Sequence, residues 1–338
     1  MYEIAVIIVT YNNLQDTTKP CLASIFSAKT NTNFCVVVVD NKSNDDTVKY
    51  IVNHYATEPR LLLVPSQSNL GFAAGNNVGI KSVKAGIYVL LNSDTLVTDY
   101  WLDRFLHFFN SHPEVGMAGP VSNFVGTDQM VDTSSPIVEE ILQQGMDWAT
   151  RCSGDYYYTN MLSFFCVAIR GDVLSGVGFL DESFGMGMFE DDDYCVRTIK
   201  NGYKLACIED IFIYHKGSGS FNNIPNKIVK ELFENNKNLY ESKHGKKWTP
   251  RLNVNSFIAL CLKYTEIHQM DVEKKCFKLS NKLKIMSKLY SETGSAQDNT
   301  HVDAILNSLS WKMISKVNNI IDNSPLRSLG RWASKRFG

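Results

Sequence analysis

The sequence predicts an α/β fold, a mostly parallel central sheet flanked by helices with a helical region after it, on three observations. Short apolar runs alternate with stretches of helical periodicity through the first ninety residues, and strand, helix, strand in alternation is the pattern of a parallel sheet. The runs AVIIVT (5–10) and CVVVVD (35–40) are continuous in Val and Ile, as in strands covered on both faces. Beyond Phe221 the composition turns to Lys, Asn and Glu at helical spacing. The chain has 338 residues, 44% hydrophobic and 20% charged, enough for an ample core in one large or two ordinary domains.

In chain order, residues 4–10, 34–40, 61–65 and 87–91 read as strands, with helices over 17–28, 45–55 and 73–83 between them. Three of these strands empty into polar residues: Thr10-Tyr11-Asn12-Asn13, Asp40-Asn41-Lys42-Ser43 and Asn92-Ser93-Asp94-Thr95. Open α/β sheets bind ligands beyond the carboxyl ends of their strands. The loop 68–77, rich in small residues and leading into a helix, lets backbone amides approach a diphosphate closely. In the less regular stretch that follows, Trp148 and Tyr156-Tyr157-Tyr158 read first as core aromatics and second as a stacking platform for a ligand. Gly185-Met186-Gly187-Met188 reads equally as a tight turn and as a loop that closes over a ligand.

Directly after it, Glu190, Asp191, Asp192 and Asp193 stand in succession before a helical stretch. Acids at a helix N-terminus gain roughly 0.3 to 1 kcal/mol each from the macrodipole. Crowded carboxylates also raise one another's pKa, which tunes one of them to act as a base near neutral pH. With Asp94 about a hundred residues upstream, two acidic sites point to metal-assisted chemistry on an anion.

The C-terminal region offers helices over 226–244, 255–269 and 272–290, a linker over 292–300, and amphipathic helices over 302–321 and 325–337. The last sets Arg327, Arg331, Lys335 and Arg336 against Leu326, Leu329, Trp332 and Phe337, which suits an anionic membrane surface or, equally, packing on its own domain or on a second subunit as a homodimer. A net charge of −1 and a pI near 6.7 give no broad basic field for nucleic acid. Eight scattered cysteines without a CxxC pair, and an apolar strand from the start, predict reduced thiols in a cytoplasmic protein. No apolar run reaches the length of a transmembrane helix, so membrane contact is expected to be peripheral.

Six features in order, VIIVTYNN, VVVVDNKSNDDT, NLGFAAGNNVGI, LLNSDT, GMFEDDDYCVR and His215, resemble the inverting family 2 glycosyltransferases of GT-A fold, in the branch that builds bacterial surface polysaccharides. GPVSNFVGTDQMV and FFCVAIRGDV resemble segments of its rhamnosyltransferase-like members. The resemblance implies a GT-A catalytic domain over 1–220 and a helical region over 221–338. It implies transfer from a nucleoside-diphosphate sugar of UDP or dTDP type, dTDP-rhamnose among them, to a hydroxyl of a glycan or lipid-linked acceptor. Carried onto this sequence, it makes Asp94 a ligand of a divalent cation, with Asn92 where the motif's first Asp would stand, and His215 a further ligand. Mg²⁺ commonly leans on one or two carboxylates plus phosphates, whereas an imidazole ligand favours Mn²⁺.

Asp40 would bind the donor base with Thr10 and Asn12 beside it, and Asn69, Gly71, Asn76 and Ser93 would contact the diphosphate and sugar. Asp191 would be the general base, with Asp192 its rival, Glu190 orienting hydroxyls and Asp193 supporting the loop. The plainer readings are strand-end turn residues for Asp40 and Asp94 and a hydrogen-bonded strand-end His215. Two other functions compete. A sugar nucleotidyltransferase would need a Gly-rich basic loop after the first strand, and none is there. A non-catalytic carbohydrate- or Ca²⁺-binding module would alternate its acids rather than place them consecutively.

Overall fold

The computed structural model describes residues 1–217, 225–251, 254–267 and 270–293. The first part of the chain runs β1 (Tyr2–Thr10), α1 (Thr18–Ser27), β2 (Phe34–Asp40), α2 (Thr47–His54), β3 (Leu61–Pro65), α3 (Gly71–Lys81), β4 (Ala85–Leu91) and β5 (Thr95–Leu96). It continues with α4 (Trp101–Ser111), β6 (Val115–Val121), α5 (Val138–Arg151), β7 (Tyr156–Thr159), β8 (Cys166–Arg170) and α6 (Gly171–Val177). Then come α7 (Glu190–Lys200), β9 (Lys204–Phe212), β10 (Tyr214–His215), α8 (Asn226–His244), α9 (Val254–Glu266) and α10 (Val272–Thr293).

Eight strands form one sheet in the order β3-β2-β1-β4-β8-β6-β9-β7, and β10 pairs with β5 in a separate two-stranded ladder. The four N-terminal strands are parallel to one another, as their βαβ spacing requires, and β6 is parallel to β9. β8 and β7 run antiparallel to their neighbours. The result is the GT-A-like, mostly parallel sheet expected.

Residues 4–8 of β1 are all buried, and their side chains alternate between the two faces of the sheet. Ile4, Val6 and Ile8 pack with Leu22, Ile51 and Phe105 of α1, α2 and α4, while Ala5 and Ile7 pack with Ile80, Val173 and Tyr194 of α3, α6 and α7. Helices on both faces are why β1 and β2 are apolar throughout. Trp148 in α5 and Tyr157 in the edge strand β7 are buried, as the core reading expects, while Tyr156 is half-buried and Tyr158 exposed.

The chain divides into two compact units, Met1–Ser256 and Phe257–Gly338. α8, the start of the region expected to be helical, lies in the first unit. In the second, Lys278 and Lys282 are fully buried, with their ammonium groups 4.8 Å and 5.7 Å from the ring centres of Tyr264 and Phe257, a favourable cation–π arrangement. Most of the expected linker and the two expected amphipathic helices lie outside the described residues. Among the described residues no helix is long and apolar enough to cross a membrane. All eight cysteines are free thiols, seven of them buried.

Candidate active site

The carboxyl ends of β1, β2 and β4 converge on a cavity of about 540 Å³. The loops after β1 and β2 reach it through left-handed backbone at Asn12, Asn13 and Lys42 (φ 56, 58 and 68°), a region that Asn enters more readily than most residues. These loops interlock: Asn12 donates its amide to Ser43 Oγ at 2.8 Å and accepts the Asn44 amide on Oδ1 at 2.8 Å. Leu14 donates its amide to Asp45 Oδ2 at 3.1 Å. Asn12 is therefore a brace as well as a lining residue. Thr10, buried at the end of β1, shares a hydrogen bond with the Thr18 hydroxyl.

Asp40 is 2% exposed. Its Oδ2 accepts from the Ser43 amide at 3.1 Å, while the buried Oδ1 has no hydrogen-bond partner. A buried carboxylate oxygen left unpaired is costly, so an orphan at a ligand-binding edge marks a place for a donor. At the start of α3, Asn69 Oδ1 accepts from the Gly71 amide at 3.0 Å. Gly71 (φ 78°) lies so close to the Gly185 carbonyl that a Cβ has no room. Asn76 is buried and donates back to the Phe72 carbonyl at 3.0 Å.

The short ladder between β5 and β10 sets Thr95 opposite His215, which brings His215 Nε2 to 3.3 Å from Asp94 Oδ1. His215 Nδ1 lies 2.8 Å from the Phe124 carbonyl. Since only a protonated nitrogen pairs with a carbonyl, the proton sits on Nδ1 in the neutral ring and the Nε2 lone pair faces Asp94. Asn123 clasps the His215 backbone in both directions, at 3.0 and 2.9 Å, and Phe165 stacks on the imidazole with centroids 5.2 Å apart. Two acceptors held face to face in this way fit a divalent cation. Among the described residues no group of three or more such side chains converges, so this pair leaves coordination positions for phosphate oxygens and water.

The acidic turn opens α7. Met188 and Phe189 have φ of 76 and 74°, left-handed backbone that costs a non-glycine residue about 1 to 2 kcal/mol. Glu190 is buried with Oε2 unpaired. Burial first, and the Asp192 charge second, push its pKa up to about 7. Asp191 accepts the Asp192 amide at 2.9 Å. Its pKa is raised well above the carboxylate range by burial and then by the charges of Asp192 and Glu190. Asp192 faces elsewhere: Arg251 donates to Oδ1 from Nε at 2.9 Å and Nη2 at 2.7 Å, and Trp248 Nε1 donates to Oδ2 at 3.2 Å. Asp193 is fully buried among Arg197 at 2.7 Å, Lys243 at 2.7 Å and His244 at 2.9 Å.

Of the residues picked out in the sequence, the cavity is lined by Thr10, Asn12, Asn69, Gly71, Ser93, Asp94, Glu190, Asp191 and His215. Asp40, Asn76 and Asp192 do not line it. Asn41, which follows Asp40, does, and it donates to the Gly71 carbonyl at 3.0 Å. The sequence reading placed Asn41 only among the polar residues that end the second strand, and it missed Ser163, Phe164 and Phe165 as lining residues and Asn123 as the clasp of His215. For Phe164, Phe165 and Asn123 the only signal was membership of the segments FFCVAIR and GPVSNF, and Ser163 carried none.

Residues 5–170 match the profile of the family described as glycosyl transferase family 2. An uncharacterised glycosyltransferase of Methanocaldococcus jannaschii is 19% identical over 63% of this chain and 70% of its own length. The amylovoran biosynthesis glycosyltransferase of Erwinia amylovora is 21% identical over 62% of this chain and 74% of its own. Among solved structures, a mannosyltransferase from Pyrobaculum calidifontis in complex with GDP-Man and Mn²⁺ superposes with a TM-score of 0.52 at 15% identity, over 92% of this chain and 81% of that one. GalNAc-T7 with UDP, GalNAc and Mn²⁺ gives a TM-score of 0.53 at 12% identity, over 89% and 58%. At these identities the structural likeness speaks for the fold.

Proposed function

We propose that this chain, a glycosyltransferase whose residues 5–170 match the family 2 profile, moves a sugar with inversion from a nucleoside-diphosphate sugar to a hydroxyl of a glycan or lipid-linked glycan in surface polysaccharide synthesis, at the cytoplasmic face of the membrane. The observation that carries the reading is a single cavity lined by both the Asp94–His215 pair and the carboxylates Glu190 and Asp191. A divalent cation, Mn²⁺ or Mg²⁺, bound at that pair would supply Lewis-acid neutralisation of the leaving diphosphate.

The chain's own residues do the rest. Asn69 and Gly71 put the N-terminus of α3 at the cavity, and a helix N-terminus suits a diphosphate. On the resemblance, Asp40, which adjoins the lining residue Asn41 but does not itself line the cavity, takes the imide N–H of a pyrimidine, which favours UDP or dTDP donors. dTDP-rhamnose is the donor to try first, on the resemblance of GPVSNFVGTDQMV and FFCVAIRGDV. Asp191 takes the proton of the acceptor hydroxyl as that oxygen bonds to the anomeric carbon, while the bond from that carbon to the diphosphate oxygen breaks on the opposite face. Glu190 holds hydroxyls of acceptor or donor. Asp192, engaged by Arg251 and Trp248, is not the base in this reading.

The test is thermal unfolding with UDP, dTDP, GDP or CDP, each with Mn²⁺, Mg²⁺ or EDTA. A ligand at a hundred times its dissociation constant stabilises by about 2.7 kcal/mol. The expected result is a metal-dependent rise with a pyrimidine diphosphate that Asp94→Asn abolishes; no rise with any nucleotide overturns the reading.

A further inference from the structure

We infer that Asn236 is a positioning residue for the acidic turn, holding from α8 the backbone that aims Glu190 and Asp191 into the cavity. The inference rests on the transfer reading above. Asn236 is buried, and its Nδ2 donates to the carbonyls of Phe184 and Gly187 at 2.8 Å each, with the Met188 carbonyl at 3.1 Å. A carboxamide has two N–H groups, so each of the two nearer carbonyls takes one and Met188 shares. Those carbonyls stand at the two sides of the turn, and one side chain therefore ties it closed.

The turn needs such a tie. Met188 and Phe189 are consecutive non-glycine residues in left-handed backbone, a conformation that persists only where the surroundings over-determine it. The Phe189 ring is fixed by the same helix and the segment after it, 5.2 Å from Phe233 and Trp248 and 5.8 Å from Tyr240. On its other side the turn reaches the chemistry: Met186, Gly187 and Met188 line the cavity, and the Gly185 carbonyl lies against Gly71 of the donor loop. Return of Met188 and Phe189 to right-handed backbone would rotate Glu190 and Asp191 together. Asn236 does not line the cavity, so its effect falls on placement of the base and not on substrate contact.

The experiment uses the full chain with Asn236→Leu, alike in branching but without donors, and Asp191→Asn in parallel. Three readouts are taken: calorimetric binding of UDP with Mn²⁺, steady-state transfer from the nucleotide sugar that supports turnover in the wild type, and hydrogen exchange of the amides at 185–191. In Asn236→Leu those amides are expected to exchange about tenfold faster while β1, β2 and β4 keep their protection. kcat is expected to fall about tenfold or more, with donor KM and UDP affinity within about twofold, as for a misplaced but intact base. Wild-type kcat in Asn236→Leu beside an inactive Asp191→Asn overturns the inference alone. Parallel loss of kcat and UDP binding, with exchange accelerated throughout the sheet, also overturns it, because that is general unfolding. Wild-type kcat in Asp191→Asn overturns the transfer reading and the inference with it.

Discussion

Four adjacent acids have two different fates, and the difference lies in what each pair meets. Glu190 and Asp191 meet the cavity and lose hydration with no compensating cation among the described residues, so burial raises both pKa values. Asp192 and Asp193 are buried too but meet Arg251, Lys243, His244 and Arg197. A carboxyl whose folded pKa is raised binds more protons folded than unfolded, so its favourable contribution is full at low pH and fades as pH climbs toward the folded value. For Glu190 the window runs from the ordinary 4.5 to about 7. In metal-free protein at pH 8, Glu190→Gln is expected to be more stable than wild type by on the order of 2 kcal/mol, and equal to it near pH 4. Urea titrations at the two pH values measure this, and equal stability at pH 8 would mean that Glu190 is hydrated. The same direction governs turnover: kcat is expected to rise with pH as Asp191 loses its proton, and a flat profile from about pH 5 to 8 would remove a carboxylate base.

At the scale of elements, the two-residue ladder of β5 with β10 decides whether the metal pair exists. It contributes little pairing energy, so the clasp by Asn123, the Phe124 carbonyl and the Phe165 ring orients His215. Groups that orient a metal-bound histidine typically contribute ten- to a hundredfold in affinity. Asn123→Ala is expected to weaken Mn²⁺-dependent UDP binding by about tenfold while leaving metal-free stability within about 1 kcal/mol; calorimetry with and without EDTA checks both halves. The close approach of Gly71 to Gly185 is a second constraint between elements. Gly71→Ala puts a Cβ against a carbonyl and a side chain at φ 78°, so a loss of at least about 1 kcal/mol is expected in thermal unfolding, together with weaker nucleotide binding.

The whole molecule shows why the acidic turn depends on residues beyond the matched segment. The family profile ends at residue 170, yet Asn236, Lys243, His244, Trp248 and Arg251 all hold α7 or the turn before it. They belong to the unit Met1–Ser256. A chain ended at residue 220 would leave Asp192 and Asp193 buried without their cations from α8 and the segment after it, a defect that typically costs about 3 to 5 kcal/mol when a buried pair loses one partner. That truncation is expected to be insoluble or to unfold well below the full chain, and one ended at 256 to keep a cooperative transition and the UDP–Mn²⁺ response. Equal stability of the two would show that α8 is dispensable to α7.

The parallel sheet and its functional edge were legible in the sequence because both are local patterns. Strands buried on two faces must be apolar throughout, as in AVIIVT and CVVVVD, and the polar residues that end them must then lie along one edge. The cluster 190–193 announced a site by its composition for the same reason. Only the tertiary structure decided which acids face the cavity. Consecutive helical residues point about 100° apart, and their partners come from residues about fifty positions later in the chain. It also joined Asp94 to His215 across more than a hundred residues and set the imidazole's proton through Phe124. Such pairings are made by the path of the backbone through space, which no local spacing of residues encodes.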